Sequence, residues 1–445
     1  MSSRMSEEEQ KPPEKVANEY HKYFNGKLST KSKVPVRKDK ADYDFSIWYT
    51  PGVAEPCKKI SEKKERVYDY TNKKNMVAVV SDGTRVLGLG DIGPEAGLPV
   101  MEGKALLFNY LGGVDAVPIC VDTKKKDEIK DLVKKLQPTF GGINLEDIEK
   151  PKCFGLLEEL RKELDIPVWH DDQQGTALVS LAGLIGALKF VGKEPQDIKL
   201  AIGGAGAAGI NNAKYSIVGG VKPENIKIWD SKGILSPTRD DLKEGDYKFE
   251  WAKKTNPEGI EGGVGKALEG ADACISATTP GPGVIKKEDV EKMAEDAILF
   301  ACANPVPEIL PDDAREAGVR ITGTGRSDYA NQVNNSLGFP AVFRGALDVN
   351  ASDITDEMCI AAAYAISERA EELGLEEDMI IPSMNDQETY IREAIAVAKK
   401  AMEQGVARVK LTDEELERGV REKIESSKEV TQLLMREKKI PPFPE

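Results

Sequence analysis

Three acidic segments could supply the oxygen ligands of a divalent cation. They are Asp91 in GLGDIG, Glu146 and Asp147 in GGINLEDIEKP, and Asp171 and Asp172 in PVWHDDQQGT. Taken singly, each is more often a solvated loop or a helix cap. The last two follow apolar stretches that read as strands, and α/β proteins place their ligand crevices at strand ends. Because adjacent residues point to opposite faces of a strand, Glu146 and Asp147 need an irregular turn to reach one ion.

The shortage of histidine restricts both the metal and the acid–base chemistry. His21 and His170 are the only histidines, and the six cysteines form no C-x-x-C pair. This composition excludes a multi-histidine site and gives no sign of a zinc knuckle or a disulfide framework. Carboxylate ligands alone favour Mg²⁺ or Mn²⁺, and proton transfer is left to Lys, Tyr or carboxylates.

A glycine-rich turn predicts a dinucleotide site. The segment KLAIGGAGAAGINNA contains Gly204-x-Gly206-x-x-Gly209 between a predicted strand and a predicted helix. The first glycine allows a tight turn, the second lets a pyrophosphate approach the backbone, and the third lets helix and strand pack closely. Asp230 ends the next predicted strand and fits the acid that binds the adenosine ribose. The spacing is weak alone, but strand, helix and acid in register favour a cofactor site.

The elements that must position these residues follow an α/β rhythm. Apolar runs bounded by Gly, Asp and Pro predict buried parallel strands, and a helix that is apolar nearly all round should be buried between domains. The predicted strands cover 76–80, 116–121, 166–169, 199–202, 225–229, 273–276 and 298–302, and the buried helix covers 174–191.

We therefore predict an α/β chain of two domains, an N-terminal α/β substrate and metal domain and a C-terminal doubly wound, Rossmann-type domain. The predicted division is a polar lead-in over 1–40 with one helix near 14–24, a first domain over 41–165, a nucleotide-binding domain over 166–410 and a helical tail over 411–445. Helices are expected from Asp353 onward, capped by Ser352 or Asp353, with Ile360, Ala363 and Ile366 on the buried face.

Composition excludes several classes of protein. The chain has 445 residues, 40% of them hydrophobic and 31% charged, which is enough apolar material for well-packed cores. A net charge of −14 argues against nucleic-acid binding, which needs clustered Lys and Arg. The first residues lack the apolar core of a signal peptide, and no later stretch reads as long and apolar enough to span a bilayer. We therefore expect a cytoplasmic protein with no membrane partner.

Several long motifs resemble those of the malic enzyme family, in the family's order. They run from about residue 43 to 348 and comprise YTPGVAEP, SDGTRVLGLGDIGPEAGLPVMEGK, GGINLEDI, HDDQQGTA, GAGAAG, ACANPVPEI and NQVNNSLGFP. The chain length is similar to that of the compact prokaryotic branch. The resemblance implies oxidative decarboxylation of malate to pyruvate and carbon dioxide with NAD or NADP and Mg²⁺ or Mn²⁺, in a homodimer.

The resemblance also implies roles for individual residues. Glu146, Asp147 and Asp172 would bind the metal. The catalytic residues would be Lys104 as the general base, Tyr49 as the general acid and Asp171, which would steer Lys104 or the metal site. The substrate-binding residues would be Arg85, Lys104, Asn304 and Asn335. The cofactor-binding residues would be Thr176, Gly204, Ala205, Gly206, Ala207, Ala208, Gly209, Asp230, Lys232 and Asn304.

The chemistry calls for these residue types. A lysine beside a divalent cation has its pKa lowered toward neutrality and can take the hydroxyl proton of malate, while a tyrosine can protonate the enol left by decarboxylation. Without the resemblance, Lys104 and Tyr49 read as a surface amine and a loop aromatic, and Asn304 and Asn335 as turn residues.

The alternatives are a malolactic-type enzyme releasing lactate, an oxaloacetate decarboxylase and a cofactor-binding protein without turnover. Asp230 favours NAD, whereas Lys232 could offset the charge of a 2′-phosphate, so we expect NADP to be used alongside NAD.

Overall fold

Two β-sheets form the frame of the chain, whose computed structural model describes residues 12–444. The first sheet is built from β1 (Met76–Ser81), β2 (Asp115–Cys120), β3 (Gly142–Leu145) and β4 (Val168–His170). Its strands are all parallel, in the order β2-β1-β3-β4. The central strand β1 is apolar and has no exposed surface from Val77 to Val80, as expected for a parallel sheet covered on both faces.

The second sheet has the doubly wound arrangement predicted from the sequence. Its strands are β5 (Leu200–Gly203), β6 (Ile226–Asp230), β7 (Gly233–Ile234), β8 (Ala273–Ser276), β9 (Ile298–Ala301) and β10 (Ile321–Thr324). Their order is β10-β9-β8-β5-β6-β7, parallel except for the short edge strand β7. The order reverses direction at β5, so a ligand crevice opens at the carboxyl ends of β5 and β8.

Helices cover both sheets and make up most of the C-terminal third of the chain. In the described range they are α1 (Pro13–Phe24), α2 (Ala41–Trp48), α3 (Ala54–Glu62), α4 (Val67–Tyr70), α5 (Pro94–Gly112), α6 (Lys126–Leu136), α7 (Lys152–Glu163), α8 (Thr176–Val191), α9 (Ala207–Val218), α10 (Tyr247–Thr255), α11 (Val264–Leu268), α12 (Lys287–Val290), α13 (Pro311–Glu316), α14 (Phe339–Asp348), α15 (Asp356–Leu373), α16 (Gln387–Glu403) and α17 (Asp413–Arg436).

The predicted strands and helices are found within about two residues of their expected bounds, including α1 in the lead-in. The part of the predicted lead-in before residue 12 lies outside the described residues. The predicted domain boundary after residue 165 needs correction, because it assigns β4 to the second domain. Instead, β4 pairs with β3 of the first sheet, with Val168 opposite Ile143. Strand pairing is a long-range contact that an apolar run does not reveal.

The start of α15 also differs from the prediction. Its cap is Thr355, whose side chain accepts a hydrogen bond from the Met358 amide at 3.2 Å. The expected caps are engaged elsewhere, since Ser352 donates to the carbonyl of Val406 and Asp353 pairs with Arg161. As predicted, Ile360, Ala363 and Ile366 are buried. Both α14 and α17 pack on α5, so these C-terminal helices cover the first sheet.

The expectation that no stretch could span a bilayer was wrong by length and composition. The stretch Asp171–Val191 is long and apolar enough to cross a bilayer, but 78% of its most apolar part is buried inside the protein. It consists of one π-helical turn, Asp171–Gly175, followed by α8, which packs against α9 and α15. Its burial is that of a core helix.

One buried carboxyl on α16 predicts a pH dependence of stability. Glu393 has no exposed surface, and neither of its oxygens has a hydrogen-bond partner among the described residues. Burial raises the pKa of Glu393 well above its usual value. Between the unfolded-state and folded-state pKa values the unfolded chain therefore binds fewer protons than the folded chain, and stability falls as pH rises.

We expect Glu393→Gln to remove this dependence. Relative to the variant, the free energy of unfolding of the wild type should fall by about 1.4 kcal/mol per pH unit across that window. Denaturant titrations at roughly pH 6, 7 and 8 measure the difference. Glu403→Gln, at an exposed position of the same helix, is the matched control. Parallel pH profiles for Glu393→Gln and the wild type would show that Glu393 ionises normally.

Candidate active site

The carboxyl ends of β1, β3 and β4 bring the predicted metal ligands together. The amide of Glu146 donates to the carbonyl of Val80 at 2.9 Å, and the amide of Asp147 donates to the Asp172 carboxylate at 3.2 Å. Asp91 is not part of this group and forms an exposed ion pair with Lys124. Of the three acidic segments, the two that follow strands therefore converge.

An irregular turn lets neighbouring acids face the same point. Asp147 has a φ of +53°, a left-handed conformation that is uncommon for a residue other than glycine. One carboxylate oxygen from each of Glu146, Asp147 and Asp172 lies within 4.8 Å of the others. The Oδ2 atom of Asp147 is buried without a hydrogen-bond partner among the described residues. Three carboxylates that each offer one oxygen to the same point, one of them with a buried oxygen that accepts no hydrogen bond, fit a hard divalent cation.

The cluster is electrostatically unfavourable without a cation. Burial raises the pKa of Asp147 to about 8, and the nearby Asp172 adds to the effect. Burial also raises the pKa of Glu146 well above its usual value, although Lys104 opposes the change. A positive charge bound between these groups would relieve both costs.

Lys104 lies at the edge of this cluster on α5. Its side chain is only 8% exposed, and its Nζ lies 2.5 Å from Asp171 Oδ2 and 3.0 Å from Glu146 Oε1. The same Nζ sits 4.1 Å from the centre of the Phe339 ring. Burial disfavours the charged amine, but Asp171 and Glu146 outweigh it and raise the pKa of Lys104. The protein groups alone therefore hold this lysine protonated, and the expected lowering of its pKa would have to come from a bound cation.

Asp171 links Lys104 to the second half of the chain. Its Oδ1 accepts a hydrogen bond from Trp169 Nε1 at 3.1 Å, and its Oδ2 accepts one from the side-chain amide (Nδ2) of Asn335. A Cβ atom on Gly175 would lie 2.2 Å from Asp171 Oδ1, so the π-helical turn leaves room for this carboxylate only because Gly175 has no side chain. Asp171 is thus fully buried, and its carboxylate contacts both Lys104 and Asn335.

The glycine-rich loop has the geometry expected for a dinucleotide site. Gly204 has a φ of +94°, and a Cβ on Gly209 would lie 1.7 Å from the carbonyl oxygen of Gly204. Ala205 is buried in the loop, and Ala207 and Ala208 begin α9. Thr176 begins α8, directly after the π-helical turn that packs against α9. The N-termini of α8 and α9 therefore both lie at the crevice where a dinucleotide cofactor would bind.

Asp230 ends β6, as predicted. The ammonium group of Lys232, however, does not pair with Asp230. The Nζ of Lys232 lies 2.9 Å from Asp241, and the lysine side chain is 64% exposed. Asp230 instead pairs with Arg239 and Lys248. Sequence inspection missed both cations because they lie outside the strand–turn–helix motif and reach Asp230 only through the loop after β7 and the start of α10.

Three predicted site residues are less closely joined to the cluster. The amide of Arg85 donates to the carbonyl of Asp147, but its side chain is exposed. Asn304 is also exposed, although a Cβ on Gly88 would lie 2.7 Å from its carbonyl oxygen, so loops of the two sheets touch here. Tyr49 is 72% exposed, and its hydroxyl makes no hydrogen bond within the described residues.

Supporting residues were also missed at the sequence level. Asn144 donates to Glu146 Oε2 at 2.9 Å, and Trp169 and Phe339 enclose Asp171 and Lys104. Asn144 carries a usable signal, since it is a fully buried polar residue inside an apolar strand. The two aromatic residues carry none, because an aromatic ring in a core strand or helix is ordinarily only packing.

Comparison with known proteins agrees with this geometry. Two family models match, "Malic enzyme, N-terminal domain" over residues 25–161 and "Malic enzyme, NAD binding domain" over residues 173–402. A bifunctional malic/malolactic enzyme of Bacillus subtilis is 53% identical, with 89% of this chain and 95% of that protein aligned. An NAD-dependent malic enzyme of Geobacillus stearothermophilus is 51% identical, with 87% and 79% aligned.

A solved structure shares the whole architecture. The crystal structure of a malic enzyme from Pyrococcus horikoshii superposes with a TM-score of 0.89 at 54% identity, covering 95% of this chain and 98% of that one. The match in sequence, in both domain models and in fold establishes that the chain belongs to the malic enzyme family.

Proposed function

We propose that the chain catalyses oxidative decarboxylation of (S)-malate to pyruvate and carbon dioxide, with NAD or NADP as hydride acceptor and Mg²⁺ or Mn²⁺ as metal. The observation that carries the proposal is the position of Lys104, a buried amine 3.0 Å from the first acid of a three-carboxylate cluster. A base beside a divalent cation suits removal of a proton from a chelated alcohol.

Glu146, Asp147 and Asp172 are the residues that would hold the metal. When bound there, a divalent cation polarises a carbonyl oxygen and stabilises negative charge on it. The remaining roles belong to the chain. Lys104 accepts the C2 hydroxyl proton as the C2 hydride passes to the nicotinamide, and Asp171 orients the Lys104 amine.

Decarboxylation then breaks the C3–C4 bond of the keto acid and leaves the enol of pyruvate. Tyr49 is proposed to protonate C3 of this enol as the general acid. Arg85, Asn304 and Asn335 are proposed to hold the carboxylates of malate or the nicotinamide. The hydrogen bond from Asn335 to Asp171 supports its place beside the reacting carbon.

We propose that the active chain is a homodimer, as the resemblance implies. Tyr49 follows α2, whose aromatic side chains Tyr43, Phe45 and Trp48 are 63%, 53% and 45% exposed. Exposed aromatic side chains of this kind are typical of protein interfaces. A second copy that covered this surface would also shield Tyr49 from bulk water.

A malolactic reaction is the second candidate. The 53% identical relative from Bacillus subtilis is named a bifunctional malic/malolactic enzyme. The same site could retain the reduced cofactor and return its hydride to pyruvate, releasing lactate. Oxaloacetate decarboxylation needs the metal cluster without the cofactor, and a cofactor-binding protein without turnover would need neither Lys104 nor Tyr49.

Product analysis tests the proposal. With malate and Mn²⁺ we expect pyruvate and reduced cofactor in equal amounts, no activity after chelation, and recovery when Mn²⁺ is restored. Asp172→Ala should lower activity by roughly 100-fold or more at ordinary metal concentrations, because it removes a ligand. Asp127→Ala, an exposed acid on α6, is the control. Lactate without free reduced cofactor would favour the malolactic reaction, and full activity of Asp172→Ala would remove Asp172 from the metal site.

A second experiment separates the base from the acid. Lys104→Ala should abolish malate-dependent reduction of the cofactor, whereas Tyr49→Phe should slow turnover by about 10²–10⁴-fold, the usual effect of losing a general acid. Reduction of oxaloacetate should survive in Tyr49→Phe, while tritium exchange into pyruvate should be lost. Tyr70→Phe, another exposed tyrosine, is the control. Equal loss in every partial reaction would show that both residues only shape the pocket.

A further inference from the structure

A lysine of the first domain lies over the glycine-rich turn of the second. Lys150 follows the turn that carries Glu146 and Asp147, and its Nζ lies 2.8 Å from the position that a Cβ atom on Gly206 would occupy. Gly206 is the second glycine of the motif, where a pyrophosphate approaches the backbone. The Lys150 amine therefore rests where the phosphates of a dinucleotide would bind.

Independent contacts hold the segment around Lys150 against the second domain. The ring of Phe154, in the first turn of α7, packs against Tyr247 with ring centres 5.7 Å apart. The hydroxyl of Tyr247 donates to the carbonyl of Ala205 at 3.0 Å, inside the same glycine-rich turn. On the other side of Lys150, the amide of Glu149 donates to Thr84 Oγ1 at 3.0 Å. Neighbours on both sides therefore fix the place from which the lysine reaches the turn.

The amine of Lys150 is free to bind an anion. It makes no hydrogen bond or ion pair with any described residue. Partial burial lowers the pKa of Lys150, and the positive charges of Arg85 and Lys248 lower it further. Asp230 acts in the opposite direction, but its carboxylate is already paired with Arg239 and Lys248. Positive charge thus collects at this point of the crevice, and an anion bound there would be stabilised.

The second domain supplies positive potential at the same glycine. Helix α9 has Gly206 as its N-cap residue, with no side-chain cap and no acidic residue in its first turn. The first amides of a helix have no partner within the helix, and together with the helix dipole they favour bound phosphate. A phosphate at Gly206 would therefore meet backbone amides from one domain and an ammonium group from the other.

We propose that Lys150 binds the pyrophosphate of the nicotinamide cofactor and so joins the cofactor to the domain that carries the metal ligands. The proposal deepens the proposed function and rests on it for the identity of the cofactor. Because NAD and NADP share the pyrophosphate, the contact serves both. An amine that merely filled the turn would have the opposite effect on affinity, since its removal would make room for the phosphates.

Competition with NADH measures this contact without turnover. ADP-ribose carries the pyrophosphate and adenosine lacks it, and the fluorescence of bound NADH reports the displacement by each, once the NADH affinity of every variant has been titrated. We expect Lys150→Ala to weaken ADP-ribose binding by about tenfold, as for one charge-assisted phosphate contact, and to leave adenosine binding nearly unchanged. The loss should shrink at high salt, because the amine remains accessible to solvent.

Two further variants control this experiment. Lys150→Arg keeps the positive charge and should retain most of the affinity for ADP-ribose. Lys162→Ala removes an exposed lysine near the far end of α7 and should bind both ligands as the wild type does. In turnover, kcat/KM of Lys150→Ala should fall by a similar factor for NAD and NADP, and most of that fall should lie in KM.

Three results would overturn the assignment. Tighter binding of ADP-ribose by Lys150→Ala would show that the amine obstructs the turn. Equal losses for ADP-ribose and adenosine would show that the lysine only supports the loop, and unchanged affinity for both would show that it makes no contact. Failure of the malate reaction together with the expected loss of ADP-ribose affinity would instead contradict the proposed function and leave the role of Lys150 standing.

Discussion

The site depends on the burial of one amine among carboxylates. An ammonium group with 8% exposure is costly to desolvate, and Lys104 is tolerated only because Asp171 and Glu146 lie within 3.0 Å. Glu146 and Asp171 need the lysine in turn, because burial raises the pKa of both carboxyl groups and Lys104 opposes that rise. Each partner therefore requires the others, and this mutual dependence fixes α5 against the carboxyl ends of β3 and β4.

The same group of charges joins the two halves of the molecule. Asp171 follows the last strand of the first sheet, yet it accepts a hydrogen bond from Asn335, which lies beyond the last strand of the second sheet. Close packing of Gly88 against Asn304 and Pro305 brings loops of the two sheets together a second time. A substrate at the carboxylate cluster and a nicotinamide in the crevice at β5 would consequently meet between the sheets, as hydride transfer requires.

Sequence reasoning located the elements and most of the site because its signals are local. Apolar runs identify buried strands, and the need for a bent backbone at Glu146 and Asp147 follows from strand geometry alone. The short strand β10, with the sequence ITGT, lacks an apolar run and so gave no such signal. Lys232 pairs with Asp241, and Asp230 pairs with Arg239 from the loop after β7 and with Lys248 from the first turn of α10. Pairings made across loops leave no periodicity in the sequence.

The most direct test of the account is chemical rescue of the lysine. Lys104→Ala removes the amine and leaves a pocket lined by Asp171, Glu146 and Phe339, whose charges suit a small ammonium ion. If the amine of Lys104 takes the hydroxyl proton, added methylamine or ethylamine should restore malate-dependent cofactor reduction in proportion to its concentration, with a rate that follows the pKa of the amine. A folded Lys104→Ala protein that still binds Mn²⁺ and malate but gains no activity from any small amine would contradict it.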